Sequence, residues 1–214
     1  MSSRDRVLGR IRRATAGYGD APEPAVPRDY LRVHGVRTPA GTVDLLAAHL
    51  AEYRARVHRT DGDGIAALLA RLLAERGART VLVPPGLPPY WLAEARVTRV
   101  EDRPGSDPYE LDAVDSVVTG CALAIAETGT IVLDAGPGQG RRRITLIPDH
   151  HVCVVRVPDQ VVDSVPQALP LLDPARPLTW ISGPSATSDI ELDRVEGVHG
   201  PRTLEVVLLA GRAQ

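Results

Sequence analysis

A glycine-rich loop followed by three arginines is the segment of this sequence whose residue types best suit anion binding. It reads GPGQGRRR over residues 136–143. Alternate glycines let the backbone turn and expose its N–H groups, while the guanidinium groups supply fixed positive charge beside them. The candidate anion-binding residues of this loop are Gly136, Gly138, Gly140, Arg141 and Arg142. The same composition also fits a solvated connection whose arginines pair with surface carboxylates.

Two common phosphate-binding motifs are excluded for this loop. A Walker loop needs a lysine, and the sequence has none, since all 25 of its basic residues are arginines. The dinucleotide spacing GxGxxG is absent as well, so NAD binding of the Rossmann type is not predicted. The lack of lysine also excludes Schiff-base chemistry, which leaves arginine, histidine and backbone N–H groups to bind an anion.

A second candidate segment is rich in hydroxyl groups. It reads ISGPSATSDIE over residues 181–191 and follows a predicted strand, at a position where open α/β sheets hold ligands. Its candidate ligand-binding residues are Ser182, Ser185 and Thr187. Ser188 and Glu191 have the spacing of a capping box, so hydroxyls of this segment also fit the role of a helix cap.

Two further segments carry residues suited to acid–base or nucleophilic chemistry. In VEGVHGPR, at residues 195–202, His199 can exchange a proton near neutral pH while Arg202 holds a carboxylate. Glu127 lies at a turn between apolar runs, where a carboxylate can serve as base or nucleophile, and Thr128 and Gly129 follow it. Structural alternatives stay open, because a histidine in a glycine-rich loop and a glutamate at a turn both commonly fix the backbone by hydrogen bonds.

The sequence predicts no metal site. Two adjacent histidines, His150 and His151, follow Pro148 and Asp149, but neighbouring residues on a strand point to opposite faces. At most one of the two therefore faces any given site. The two cysteines, Cys121 and Cys153, are too few for an iron–sulfur cluster, which needs four thiolates.

Strands alternate with helices along the chain, which indicates an α/β fold. Apolar spacing predicts a helix over residues 3–16, and prolines without such spacing predict an extended linker over 17–41. Apolar spacing then predicts a helix from Thr42 that includes Val57, followed by a second helix capped by Asp63. Further along, the sequence predicts strands at 80–84, 116–127, 130–134, 151–157, 179–183 and 203–210, with helices at 88–95 and 157–172. We expect an N-terminal helix and linker over 1–41 and one domain over 42–214.

Composition excludes several classes of function. The net charge of −2 and the pI of about 6.3 give the surface no general affinity for nucleic acid. The longest stretch without a charged residue, 80–93, contains four prolines and is shorter than a membrane span of about 18 residues. The first 17 residues are too charged for a signal peptide, so the sequence predicts a cytoplasmic protein.

The segments AIAETGTIVLDAGPGQGRRRITLIPDHHVCVV (124–155) and WISGPSATSDIELDRVEGVHGPRTLEVVLL (180–209) resemble the LUD domain of the lactate utilization protein C family. The resemblance extends over about residues 112–210. It implies a sheet flanked by helices of the NagB/RpiA/CoA-transferase type, which agrees with the α/β pattern. It further implies a part in oxidising L-lactate to pyruvate beside two iron–sulfur proteins, one ferredoxin-like and one cysteine-rich.

The resemblance suggests how the candidate residues would act together. A chain with two cysteines would be the subunit without a cluster, and it would need no cofactor of its own. We expect the glycine–arginine loop, the hydroxyl loop and His199 to surround one small organic anion, since arginine binds carboxylates in bidentate fashion. Two alternatives remain: a CoA-transferase or ligase that uses Glu127 as nucleophile, and a scaffold or regulator without catalytic activity.

Overall fold

The computed structural model describes residues 2–17, 26–27, 29–187, 195–196 and 200–211. The chain divides into two compact units, one ending at Tyr30 and one beginning at Leu31. The first unit contains helix α1 (Ser3–Thr15), which Ser2 and Asp5 cap through a capping box. None of the residues of α1 is buried within this structure, and its apolar side chains Val7 and Ile11 are exposed.

The second unit is built on a six-stranded sheet in which every strand pair is parallel, in the order β1-β12-β7-β4-β2-β3. These strands are β1 (Arg56–Thr60), β2 (Thr80–Val83), β3 (Thr98–Glu101), β4 (Ser116–Thr119), β7 (His150–Val157) and β12 (Thr203–Ala210). The central strands β7 and β12 are buried along most of their length, which is why their sequences are nearly continuous apolar runs.

Helices cover both faces of this sheet. The helices of the second unit are α2 (Pro39–Glu52), α3 (Ile65–Glu75), α4 (Pro108–Asp112) and α5 (Val165–Ala168). Leu46 and Leu50 of α2 pack in one core cluster, whereas Leu69 and Leu73 of α3 pack with Trp91 in another. Among the described helices none is long and apolar enough to cross a membrane.

A smaller sheet is inserted into the second unit and carries several candidate site residues. Its order is β8-β5-β6-β9, and its strands are β5 (Leu123–Ile125), β6 (Thr130–Leu133), β8 (Val161–Val162) and β9 (Thr179–Ile181). A separate antiparallel pair joins β10 (Ala186–Thr187) to β11 (Val195–Glu196). The predicted pairing of the apolar runs on either side of Glu127 is confirmed, since β5 and β6 are antiparallel.

The structure corrects several predicted elements. The run 116–127 is two strands, because the chain leaves the central sheet at Gly120 and β5 joins the smaller sheet. The helix predicted from Thr42 begins at Pro39 with Thr38 as its cap and ends at Glu52. Val57 lies in β1, because Arg54 has a positive φ of 67° that ends the helical path.

The helix predicted over residues 157–172 is also wrong. The structure has strand β8 and the one-turn helix α5 there, followed by a short 3₁₀ turn at Leu169–Leu171. Prolines at 158, 166 and 170 each lack a backbone N–H group, so a continuous helix cannot form across this segment. Strands β1 and β3, which lie at the two edges of the central sheet, were not predicted.

Candidate functional site

A cavity of about 510 Å³ lies among the described residues of the second unit. It is lined by the beginnings of β7 and β12, by β9 and the segment 182–185 that follows it, and by a 3₁₀ turn at Arg142–Thr145. Its polar lining residues are Arg142, Thr145, His151, Thr179, Ser182 and Ser185. The cavity therefore combines one guanidinium group, one imidazole and four hydroxyl groups.

Parts of three predicted loops meet at this cavity. Arg142 comes from the glycine–arginine loop, Ser182 and Ser185 come from the hydroxyl loop, and Gly200 and Pro201 come from the loop before β12. The Ser185 N–H group donates to the Pro201 carbonyl at 2.8 Å, which joins the second loop to the third. His199 lies outside the described residues, as do Ser188 and Glu191, while Thr187 lies in β10.

The consecutive arginines at 141–143 have different partners. Arg141 donates from Nε to both carboxylate oxygens of Asp102 at 3.0 Å, and its other nitrogens donate to the carbonyls of Arg103 and Pro104. This hydrogen-bonded ion pair raises the pKa of Arg141. Arg143 donates to the Ser106 carbonyl. The Arg142 guanidinium group has no hydrogen bond or ion pair with any residue that the structure describes, whereas the Arg142 backbone carbonyl accepts from Thr145 Oγ1 at 2.9 Å.

The glycines of this loop use their backbone groups within the protein. The Gly138 N–H group donates to the Pro85 carbonyl at 2.7 Å, and the Gly138 carbonyl accepts from the Gly120 N–H group at 2.8 Å. Gly136 donates its N–H group to Asp134 at 3.0 Å, and Gly140 has a positive φ of 71°. The loop therefore bridges the chain beyond β2 to the chain beyond β4, and it contributes Arg142 to the cavity rather than an array of free N–H groups.

Arg202, the predicted carboxylate-binding residue of the third loop, is also paired. Its Nε donates to Asp149 at 2.7 Å, and Arg76 donates to the other oxygen of the same carboxylate at 2.6 Å. Hydrogen bonds from Arg202 lower the pKa of Asp149 against the opposing effect of burial. Arg202 does not line the cavity. Its observed contact fixes the start of β12 against the start of β7.

A chain of hydroxyl groups connects the cavity to the turn at Glu127. Ser182 Oγ lies 2.8 Å from Thr130 Oγ1, which lies 2.7 Å from Thr128 Oγ1. Gly129, in the same turn, has a positive φ of 55°, and a Cβ there would lie 2.9 Å from the His49 backbone. The turn thus packs directly against α2, and Thr128 and Gly129 support the cavity wall without lining the cavity.

Glu127 is held in an ion-pair cluster outside the cavity. Its carboxylate lies 2.7 Å from His34 Nδ1 and 3.3 Å from Arg37 Nη1. Arg37 also lies 3.5 Å from Asp163, and the Glu127 N–H group donates to the Asp163 carbonyl at 2.9 Å. With 19% of its side chain exposed, Glu127 fastens the segment before α2 to the smaller sheet. Its carboxylate is therefore partnered on both oxygens.

The two adjacent histidines point to opposite faces of β7. His151 lines the cavity, and its Nε2 lies 2.8 Å from Thr119 Oγ1. His150 bonds through Nδ1 to Ser116 Oγ at 2.8 Å. Burial lowers the pKa of His151 to about 3 and that of His150 to about 4, so both rings are neutral at physiological pH. Within the described part of the chain, no group of three metal-ligating side chains forms a metal site.

Comparisons with known proteins identify the family. The sequence model of the LUD domain matches residues 109–209. The lactate utilization protein C of Deinococcus radiodurans is 42% identical over 210 residues, which are 95% of this chain and 93% of that protein. This chain belongs to the lactate utilization protein C family. The lactate utilization protein C of Bacillus subtilis is 27% identical and covers 96% of this chain and 92% of its own.

A crystal structure of a DUF162 family protein from Deinococcus radiodurans matches the fold. It is 37% identical, with a TM-score of 0.69, and the match covers 81% of this chain and 99% of that one. The predicted family and the predicted α/β fold, with a largely parallel sheet between helices, are thereby confirmed.

In this lactate utilization protein C family member, sequence reasoning missed part of the cavity. The sequence did not predict that Thr145 and Thr179 line the cavity, or that His151 lines it with Thr119 bonded to its ring. These residues lie on different strands and turns, so only the fold brings them together. One signal was available: an isolated polar residue within an apolar strand, such as Thr119, is usually there to satisfy a buried partner.

Gly183 offers a stability test of the cavity wall. Its φ is +83°, and a Cβ at this position would lie 2.4 Å from the Tyr53 carbonyl oxygen. We expect Gly183→Ala to lower the free energy of unfolding by about 2 kcal/mol, measured by urea denaturation, because it adds a clash to an unfavourable φ. Gly77→Ala is the matched control, since φ there is +72° with no atom within 4 Å. Equal losses in the two variants would contradict the packing against Tyr53.

Proposed function

We propose that this chain is a subunit of a cytoplasmic lactate utilization system. In this proposal the chain itself binds a small carboxylate that carries a hydroxyl or oxo group on carbon 2. Relatives named lactate utilization protein C support a role in lactate utilization. The observation that carries the proposal is a cavity lined by Ser182, by Ser185 and by Arg142, whose guanidinium group has no partner among the described residues. A guanidinium group with adjacent hydroxyl donors is well suited to a carboxylate.

The electrons of lactate oxidation would have to leave this chain. Oxidation of a 2-hydroxy acid to a 2-oxo acid releases two electrons and two protons, and iron–sulfur clusters are one class of acceptor. Cys121 and Cys153 are both buried, and a hydrogen bond with Cys153, together with burial, raises the pKa of the Cys121 thiol. Two buried thiols are too few for a cluster that needs four thiolates. We therefore assign any clusters to partner subunits, which the resemblance to the lactate utilization protein C family implies are one ferredoxin-like and one cysteine-rich protein.

The geometry favours this proposal over an acyl-CoA transferase. A glutamate nucleophile needs a free carboxylate oxygen facing its substrate. Both oxygens of Glu127 have partners, His34 and Arg37, and Glu127 does not line the cavity. The contacts instead give Glu127 a structural role.

Binding of small acids to the purified chain tests the proposal. We expect saturable binding of pyruvate and L-lactate by calorimetry, and a loss of about tenfold to hundredfold in affinity in Arg142→Gln, because a charge-assisted contact is removed. Arg96→Gln is the matched control, since Arg96 is exposed and distant in sequence from every lining residue. Unchanged affinity in Arg142→Gln would contradict the site. Binding of CoA without binding of either acid would favour the transferase, and binding of none of them would favour a scaffold.

A further inference from the structure

His151 lines the cavity and has one ring nitrogen that no described residue engages. The side chain is 1% exposed and lines the cavity from the start of β7. Its Nε2 is occupied by Thr119 Oγ1 at 2.8 Å. Nδ1 makes no hydrogen bond to any residue that the structure describes, so it is the nitrogen left for a ligand.

The contact with Thr119 fixes which nitrogen of His151 carries the proton. Thr119 is fully buried, and among the described residues its hydroxyl has one hydrogen-bond partner, His151 Nε2. If Nε2 carried the proton, the threonine hydroxyl proton would be buried without an acceptor, which is unfavourable. With the hydroxyl donating to Nε2, both groups are satisfied. Because the ring is neutral, its proton then lies on Nδ1.

The polar groups that face the cavity are thus rich in donors. Arg142 has only donors, and the Nδ1–H group of His151 adds a second fixed donor. A carboxylate alone can use the guanidinium group but leaves the histidine donor without a partner. A carboxylate with an acceptor oxygen on the neighbouring carbon satisfies both donors.

We propose that His151 is the specificity-determining residue of the cavity, and that its Nδ1–H group donates to the 2-oxygen of a bound 2-oxo acid. This inference rests on the proposed function, since it assumes that a carboxylate occupies the cavity beside Arg142. Pyruvate supplies the required acceptor, whereas propionate has the same carbon skeleton with a methylene group at that position. L-Lactate ranks between them, because its hydroxyl group can accept this hydrogen bond but also needs an acceptor for its own proton.

The first test compares the affinities of pyruvate and propionate. We expect the unmodified chain to prefer pyruvate by about fivefold to hundredfold, the range expected when a buried donor is left unpaired. In Thr119→Val/His151→Leu, which replaces both hydrogen-bonding partners with apolar groups, the preference should fall to near onefold. In His151→Asn the preference should persist, because an asparagine amide nitrogen can occupy the position of Nδ1.

The outcomes separate this inference from the proposed function. Equal affinity for the two acids in the unmodified chain, or an undiminished preference in the double variant, would overturn the role of His151 and leave Arg142 as the carboxylate site. Binding of neither acid would overturn both. Long-range ¹H–¹⁵N NMR of the unliganded chain supplies a test without ligand. We expect a neutral His151 ring protonated at Nδ1, and protonation at Nε2 would overturn the inference.

Discussion

Replacement of Arg141 with Gln is expected to lower the free energy of unfolding by about 3–4 kcal/mol, whereas Arg142→Gln should change it by less than about 0.5 kcal/mol. The Asp102 side chain is 3% exposed, so loss of its partner leaves a buried carboxylate without a counter-charge. The Arg103 and Pro104 carbonyls lose donors at the same time. The expected cost lies in the lower part of the range for buried pairs because 37% of the Arg141 side chain is exposed.

Urea denaturation of the two variants, made in parallel with the unmodified chain, measures this difference. The neighbouring substitutions remove the same charge and nearly the same volume, so each serves as the control for the other. Arg142→Gln should lose carboxylate affinity with its stability retained, and Arg141→Gln should lose stability. Equal loss of stability in both variants would show that Arg142 has a structural partner in the folded chain and would weaken its assignment as the ligand-binding arginine.

The different roles of these arginines could not be predicted from the sequence. Three identical residues in a row present one chemical pattern, and the sequence supports an anion site at any of them. Asp102, which selects Arg141, lies 39 residues earlier in the chain. The choice depends on how the loop after β3 approaches the glycine–arginine loop, which is a property of the tertiary structure. The sequence placed candidate anion-binding arginines in this loop, and one of them, Arg142, lines the cavity.

The contacts of Glu127 likewise could not be predicted from the sequence. Its position at a turn between paired strands was predicted from the apolar runs on either side, and the structure confirms that pairing. Its partners were not predicted, because His34 and Arg37 lie 93 and 90 residues earlier in a segment expected to be an extended linker. The composition of that segment does not predict that it contacts the domain. A carboxylate that could act as a nucleophile in isolation is therefore a structural ion-pair partner.

The two strands of the central sheet that were not predicted, β1 and β3, are its edge strands. Edge strands are solvated on one side, so their sequences are mixed and carry little apolar periodicity. In β1, Arg56 and Arg59 separate the apolar positions, and Val57 continues the spacing of the preceding helix. By contrast, β7 and β12 were predicted almost to their ends, because burial on both faces demands an uninterrupted apolar run. Sequence reasoning was strongest where burial was most complete.

Acidification from pH 7 to pH 4.5 is expected to lower the free energy of unfolding by about 3–5 kcal/mol, chiefly through His150 and His151. Burial lowers the pKa of His150 to about 4 and of His151 to about 3, against 6.5 for an ordinary histidine. Below pH 6.5 the unfolded chain therefore binds protons that the folded chain does not, so stability is complete above that pH and is lost as the pH falls toward 4. Glu205 reduces the effect at His150, because its negative charge favours the protonated ring.

Urea denaturation across this pH range, for the unmodified chain and for His150→Asn, isolates the histidine contribution. The asparagine amide can still reach Ser116 Oγ but does not titrate, so about half of the acid-induced loss should disappear. Asp115 and Asp149 should contribute little to the change between pH 7 and pH 4.5. Because their pKa values are lowered from 3.8, the stability they contribute is lost only below about pH 4. Identical pH dependence in the two proteins would mean that His150 is protonated within the fold, which requires a closer pairing with Glu205 than the observed 3.9 Å.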